Sequence, residues 1–251
     1  MLKSSAFTDV GRKRKLNQDY IFTSEQSVGI LPNLFIVADG MGGHRAGDFA
    51  SRFTADTVVE ELQKSCAGEP EELLARALTV ANRKLRMRAA QDERMAGMGT
   101  TFVAACITGD RLLAANIGDS RLYVLSRGEI TQITEDHSLV QEMVRMGGID
   151  AETARSRTDK NIITRAVGAM ENVEADFFRR TLRDGELVLL CSDGLTNMVE
   201  DTQIRRIAAG NTEAALDSRV QALVAAANEH GGRDNIAVIL IDPFADGGVV
   251  V

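Results

Sequence analysis

The sequence predicts a layered α/β fold, with a layer of helices on each side of antiparallel sheets. Three observations lead there. Short apolar runs bounded by turn residues recur along the chain and read as strands. Turn signals join several of these runs into hairpins, so they pair antiparallel. Apolar residues also repeat at helical spacing in three longer segments. Several strands are apolar at consecutive positions, so both sheet faces must be covered, and the amphipathic helices are the available cover.

The elements follow in chain order. Residues 34–38 are a first apolar strand. Ala50, Thr54, Val58 and Leu62 mark one helix, and Leu73, Ala77, Leu78, Ala81 and Leu85 mark a second. Gly68 and Pro70 stop the first and start the second, which predicts an antiparallel helix pair. Strands 102–107 and 112–117 are joined by a turn at Thr108, Gly109 and Asp110. Strand 122–125 is followed by another turn at Arg127, Gly128 and Glu129. A short helix over 138–145 ends at Gly147 and Gly148. Strand 187–191, a helix carrying Leu216, Val220, Leu223, Val224 and Ala227, and strand 236–241 complete the pattern, and 246–251 read as a frayed tail.

Composition bounds the function. Of 251 residues, 44% are apolar and 26% charged, which excludes collagen-like, disulfide-scaffold and disordered classes. No stretch is long enough to serve as a linker, so residues 1–245 read as one domain. The formal net charge of −7 and an aromatic content of 4% argue against a nucleic-acid partner. Cys66, Cys106 and Cys191 are far apart, which leaves neither a disulfide framework nor a Cys-x-x-Cys metal site and fits a reducing cytoplasm. No apolar run approaches the roughly 18 residues of a membrane span. A soluble cytoplasmic monomer is expected.

The chemistry sits at strand ends. Strand 34–38 runs into Asp39-Gly40, strand 187–191 into Ser192-Asp193-Gly194, and strand 112–117 into Gly118-Asp119-Ser120, while strand 236–241 begins just after Asp234-Asn235. Any one Asp-Gly is an ordinary turn dipeptide. Four carboxylates at the mouths of apolar strands are another matter: if those ends converge, like charges need compensation, and divalent cations are the usual source. A ligand set of oxygen alone favours Mg²⁺ or Mn²⁺ over zinc. The basic run from Arg12 to Lys15 would by itself be a solvated face, but beside such a site Arg14 can clamp a phosphate. Gly97-Met98-Gly99-Thr100-Thr101 lacks the P-loop Lys and reads as a tight backbone turn under the core. Of the histidines His44, His137 and His230, the first closes a Gly-rich loop five residues from Asp39 and is the candidate proton donor; the others read as surface or satisfied polar residues.

The motifs Asp9-x-Gly11-x-x-Arg14-x-x-Asn17-Gln18-Asp19, Asp39-Gly40-Met41-Gly42-Gly43-His44, Gly99-Thr100-Thr101, Gly118-Asp119-Ser120-Arg121, Ile163-Thr164-Arg165-Ala166-Val167-Gly168, Ser192-Asp193-Gly194-Leu195 and Asp234-Asn235 resemble, in order and spacing, the metal-dependent protein phosphatases of type 2C. The match runs from about Asp9 to Ile241, and its Gly42-Gly43-His44 variant resembles the bacterial branch. The resemblance implies an α/β sandwich (α+β) of two antiparallel sheets flanked by antiparallel helix pairs. It also implies a serine/threonine phosphatase that uses metal-bound water on phosphoproteins, the substrates of a cognate serine/threonine kinase. Carried over, Asp39 bridges two Mn²⁺ or Mg²⁺ ions, the Gly40 carbonyl joins one, Asp193 and Asp234 complete the pair, Asp119 with Asp193 forms a third, weaker site, and Arg14 holds the phosphate. Residues 137–163 correspond to a flap over the substrate entrance. Gln18 stands where a Glu is often found, Asn197 where many members have Asp, and Met41 where many eukaryotic members have an active-site His, which leaves any acid role to His44. Two alternatives remain open on the residues alone: a phosphoprotein-binding pseudophosphatase, and a hydrolase of small phosphomonoesters.

Overall fold

The computed structural model describes residues 2–43, 45–150, 153, 157, 159, 161–210 and 214–245. His44, the tail at 246–251, and residues 151, 152, 154–156, 158 and 160 of the expected flap lie outside the described residues.

Two antiparallel sheets face each other. The first has the order β1 (Lys3–Asp9), β11 (Ile236–Asp242), β10 (Leu187–Cys191), β7 (Arg121–Leu125), β8 (Ile130–Gln132). The second runs β2 (Asp19–Ser24), β3 (Leu34–Met41), β5 (Phe102–Thr108), β6 (Arg111–Ile117), β9 (Asp176–Thr181), with the short β4 (Gly99–Thr100) on the end of β3. Thr108 pairs with Arg111 around the predicted Gly109-Asp110 turn, and Ser126 N–H donates to the Glu129 carbonyl across the other predicted turn.

The consecutive apolar runs are explained by burial on both faces. In β3, Phe35 and Val37 point into the interface between the sheets, where they meet Val124, Val188, Leu190, Ala237 and Ile239. Their neighbours Leu34 and Ile36 point the other way, against Ala50, Val58, Leu62, Leu74, Leu78 and Leu85 of α1 (Ala46–Gln63) and α2 (Pro70–Gln91). The first sheet repeats the arrangement: Leu189, Val238 and Leu240 face away from the partner sheet, onto α5 (Asp201–Ala209) and α6 (Leu216–Glu229) through Ile204, Val220, Leu223 and Val224. Four layers result, helix, sheet, sheet, helix, as the resemblance implies.

α2 opens with Pro70 at its first turn, where the missing N–H costs nothing. α3 (Leu139–Arg145) is capped by Ser138, whose Oγ accepts from the Gln141 N–H at 3.3 Å. The four-residue α4 (Asp193–Thr196) leaves the end of β10 immediately. The segment from Gly97 to Thr101, expected as a tight backbone turn under the core, has Met98 fully buried and includes the short β4, which pairs Gly40 with Thr100. Among the described residues no helix is long and apolar enough to cross a membrane.

Candidate metal centre

The strand ends converge. β1 ends at Asp9 opposite Ile236, β2 begins at Asp19 directly opposite Asp39, and β6 ends at Ile117 opposite Phe102. Asp39, Asp119, Asp193 and Asp234 are thereby drawn to one edge of the sandwich, together with Asp19, a member of the N-terminal motif that sequence reasoning did not single out as a site residue. Asp19 and Asp39 form a cross-strand pair of like charge, an arrangement that costs stability. The signal that could have exposed Asp19 is its place at the head of a strand; that strand was missed because Asp19 to Ser24 mixes half-buried and exposed positions.

The electrostatics follow from this crowding. Burial comes first, then the charges of Asp193 and Asp234, in pushing the Asp19 carboxyl up to about 7. Asp39 is held well above the usual carboxylate range by burial and by Asp19, Asp193 and Asp119. Burial and Asp193 raise Asp119 to about 8, and burial and Asp234 raise Asp193 to about 6.

The surrounding groups hold these carboxylates in place. Asp39 N–H donates to Thr101 Oγ1 at 2.9 Å, and its carbonyl accepts from the Thr101 N–H at 2.9 Å. Ser192 Oγ donates to Asp19 Oδ2 at 2.6 Å while accepting from Ala237 N–H at 2.9 Å, so one hydroxyl ties the two sheets together behind the site. Asn197 Nδ2 donates to Asp193 Oδ2 at 2.9 Å. Asn235 takes Gln18 N–H on its side-chain oxygen and gives its amide protons to the Val10 and Leu16 carbonyls, which fixes the loop that carries Arg14. The glycines of the two Asp-Gly pairs have a steric reason: a Cβ on Gly40 would stand 2.0 Å from the Gly47 carbonyl oxygen, and one on Gly194 would stand 1.8 Å from that of Asn235.

Arg14 reaches into the cluster and pairs with Asp234 at 2.8 Å, with about half of its side chain exposed. Asp234 raises its pKa further through the hydrogen bond and the charge. A cavity of about 340 Å³ opens beside Asp119 and Asp193, lined also by Arg121, Glu135, Asp136 and Asn197.

The residues fit a divalent cation. Asp19 Oδ1 and Asp193 Oδ1 are buried with no hydrogen-bond partner, and a buried carboxylate oxygen in that state calls for a cation. Among the described residues, no three acidic, imidazole or thiol groups close into a ready-made ligand cage. The donors that do converge are oxygens, the type that Mg²⁺ and Mn²⁺ take. His137 and His230, expected as satisfied polar residues, are so: His137 is buried between Gly118 and Asp176, and His230 Nδ1 lies 2.8 Å from the Ala226 carbonyl.

A four-layer sandwich with acidic strand ends at one edge and an arginine beside them defines a metal-dependent phosphoester hydrolase. The sequence profile of the protein phosphatase 2C family matches residues 11–240. The serine/threonine phosphatase stp of Listeria monocytogenes is 40% identical over 241 residues, covering 94% of this chain and 93% of that one. The solved S. agalactiae serine/threonine phosphatase superposes with a TM-score of 0.88 at 38% identity, covering 96% of this chain and 99% of that one. The catalytic domain of the serine threonine protein phosphatase PstP, solved in complex with 2 manganese ions, superposes with a TM-score of 0.82 at 33% identity, covering 96% and 97%. The chain belongs to the protein phosphatase 2C family and is a metal-dependent serine/threonine phosphatase.

Proposed function

We propose that Asp39, Asp193 and Asp234, with the Gly40 carbonyl, hold two divalent cations, Mn²⁺ or Mg²⁺, that Asp119 with Asp193 holds a third more weakly, and that Arg14 holds the substrate phosphate. The observation that carries this is the convergence of these carboxylates at one sheet edge, with buried carboxylate oxygens left unpartnered. Bound cations of this kind acidify water and neutralise phosphate oxygens.

The chain's own residues do the rest. Asp19 stands behind Asp39 and adds negative charge where the cations would sit. Arg14 spends one N–H on Asp234 and keeps others for phosphate oxygens, in the planar fork that suits a phosphoryl group. Hydrolysis joins a water oxygen to phosphorus and breaks the bond to the serine or threonine oxygen, which leaves as an alcohol once it gains a proton. His44 supplies that proton, on the sequence grounds that it closes the Gly-rich loop after Asp39 and that Met41 leaves no nearer imidazole in that loop. Residues 137–163 form the flap beside the entrance, and residues 1–245 act as one catalytic domain. The substrates are cytoplasmic phosphoproteins made by a cognate serine/threonine kinase, and the enzyme works as a monomer.

Phosphate release from a phosphothreonine peptide and from p-nitrophenyl phosphate, each with and without Mn²⁺, tests this reading. Metal-dependent turnover of the peptide supports it; turnover of the small ester alone contradicts the assignment of protein substrates.

A further inference from the structure

Beside the carboxylate edge, and outside the proposed ligand set, the buried His137 meets the half-exposed pair Asp176 and Arg165. His137 is 6% exposed. Gly118 N–H donates to its Nδ1 at 3.1 Å. A backbone N–H can only donate, so Nδ1 carries the lone pair, and the ring proton sits on Nε2, 3.1 Å from Asp176 Oδ2; Arg165 Nη1 stands farther from Nε2, at 3.4 Å, and spends its proton on Asp176 instead. Arg165 pairs with the other oxygen of the same carboxylate at 2.8 Å.

The contacts of His137 run in two directions. Toward the site, its ring accepts the Gly118 N–H and its backbone N–H donates to the Gly118 carbonyl at 2.9 Å, where Asn116 Nδ2 also donates at 3.1 Å. The peptide groups on both sides of Gly118 are therefore fixed. Gly118 has φ of +104°, a conformation that side-chain-bearing residues rarely adopt, and it sits immediately before Asp119. Toward the flap, the His137 carbonyl accepts from Thr164 N–H at 2.8 Å, Ser138 bridges to Ile163, and Leu139 N–H donates to the Ile162 carbonyl at 2.8 Å. Both ends of the 137–163 segment thus meet at His137, and Asp176 binds His137 at one end and Arg165, two residues beyond the other.

We propose that His137 is a positioning residue for Asp119: a neutral imidazole, oriented by Asp176, that holds the Gly118 turn and thereby sets the aim of Asp119. This rests on the reading of Asp119 as a ligand of the third cation. Groups behind metal ligands are worth roughly 10–100-fold in metal affinity, so His137 controls occupancy of the third site without touching the ion.

The test compares His137→Asn with His137→Gln by Mn²⁺ titration followed by electron paramagnetic resonance. Asparagine places an oxygen near the position of Nδ1 and can still accept from Gly118; glutamine reaches toward Asp176 instead and leaves that N–H unpaired. The expected result is a third Mn²⁺ bound at least roughly tenfold more weakly in His137→Gln, near-normal binding in His137→Asn, and two unchanged tighter ions in both. Equal affinity in wild type and His137→Gln, or equal loss in both variants, overturns the proposal. Asp119→Asn separates the two claims: if its third Mn²⁺ stays bound, the reading of Asp119 as a ligand fails, whereas loss there with no change in His137→Gln sinks the role of His137 alone. Nitrogen NMR of the wild type must also show the proton on Nε2; a proton on Nδ1 contradicts the hydrogen-bond assignment.

Discussion

Arg14 faces Asp234 across 2.8 Å and leaves about half of its side chain exposed, which under the proposed function is where the substrate phosphate binds. Replacing it with Ala removes a binding group that acts on bound substrate and transition state alike, so KM for a phosphopeptide should rise with kcat much less affected. Steady-state kinetics check this, and an unchanged KM contradicts the role. Asp39→Asn and Asp193→Asn each delete a charge from the centre and should abolish turnover, while Asp119→Asn should weaken it less. For His44 the informative comparison is between leaving groups. A serine alkoxide needs protonation and a nitrophenolate does not, so His44→Ala should lose about 10²-fold or more on phosphopeptide and far less on p-nitrophenyl phosphate. Equal losses would mean that His44 places its loop rather than donating a proton.

At the scale of elements, the cross-strand pair of Asp19 on β2 and Asp39 on β3 is a cost that the fold bears for its function. Asp19→Asn keeps an oxygen for the Ser192 hydroxyl and removes one buried like charge. In chelator this variant should melt a few degrees above the wild type, and with Mn²⁺ it should turn over more slowly; a lower melting temperature in chelator would contradict the repulsion. The same pair shows where sequence reasoning stops. Strands such as β3, β5 and β11 were legible because each carries a run of consecutive apolar residues buried on both faces. β1, β2 and β9 were not, because they lie at sheet edges with mixed burial and leave only a broken apolar pattern. Arg14, Asp39, Asp119, Asp193 and Asp234 stood out through their neighbours in sequence. Asp19 and the His137 contacts became visible only when strand register and the flap closure set distant residues side by side.

For the whole molecule, the raised carboxylates tie stability to pH and metal. Asp19, Asp193 and Asp119 have folded-state pKa values of about 7, 6 and 8, above the ordinary 3.8. Between about 4 and 8 the folded protein therefore keeps protons that the unfolded chain releases, and stability falls as pH rises through that window. His137, lowered first by burial, acts in the opposite sense, but as one group against the four raised carboxylates of the edge, Asp39 among them. Melting temperatures in chelator should decline from pH 5 to pH 8, and saturating Mn²⁺, whose binding displaces those protons, should flatten the decline. A flat profile in chelator would show that the carboxylates do not crowd one another.

The central claim is that the acidic edge of the sandwich is a cation-dependent phosphatase centre, and phosphate release from a phosphothreonine peptide tests it most directly. In excess EDTA the rate should fall to background, and it should return when Mn²⁺ is added beyond the chelator. Full turnover in excess EDTA would contradict the account.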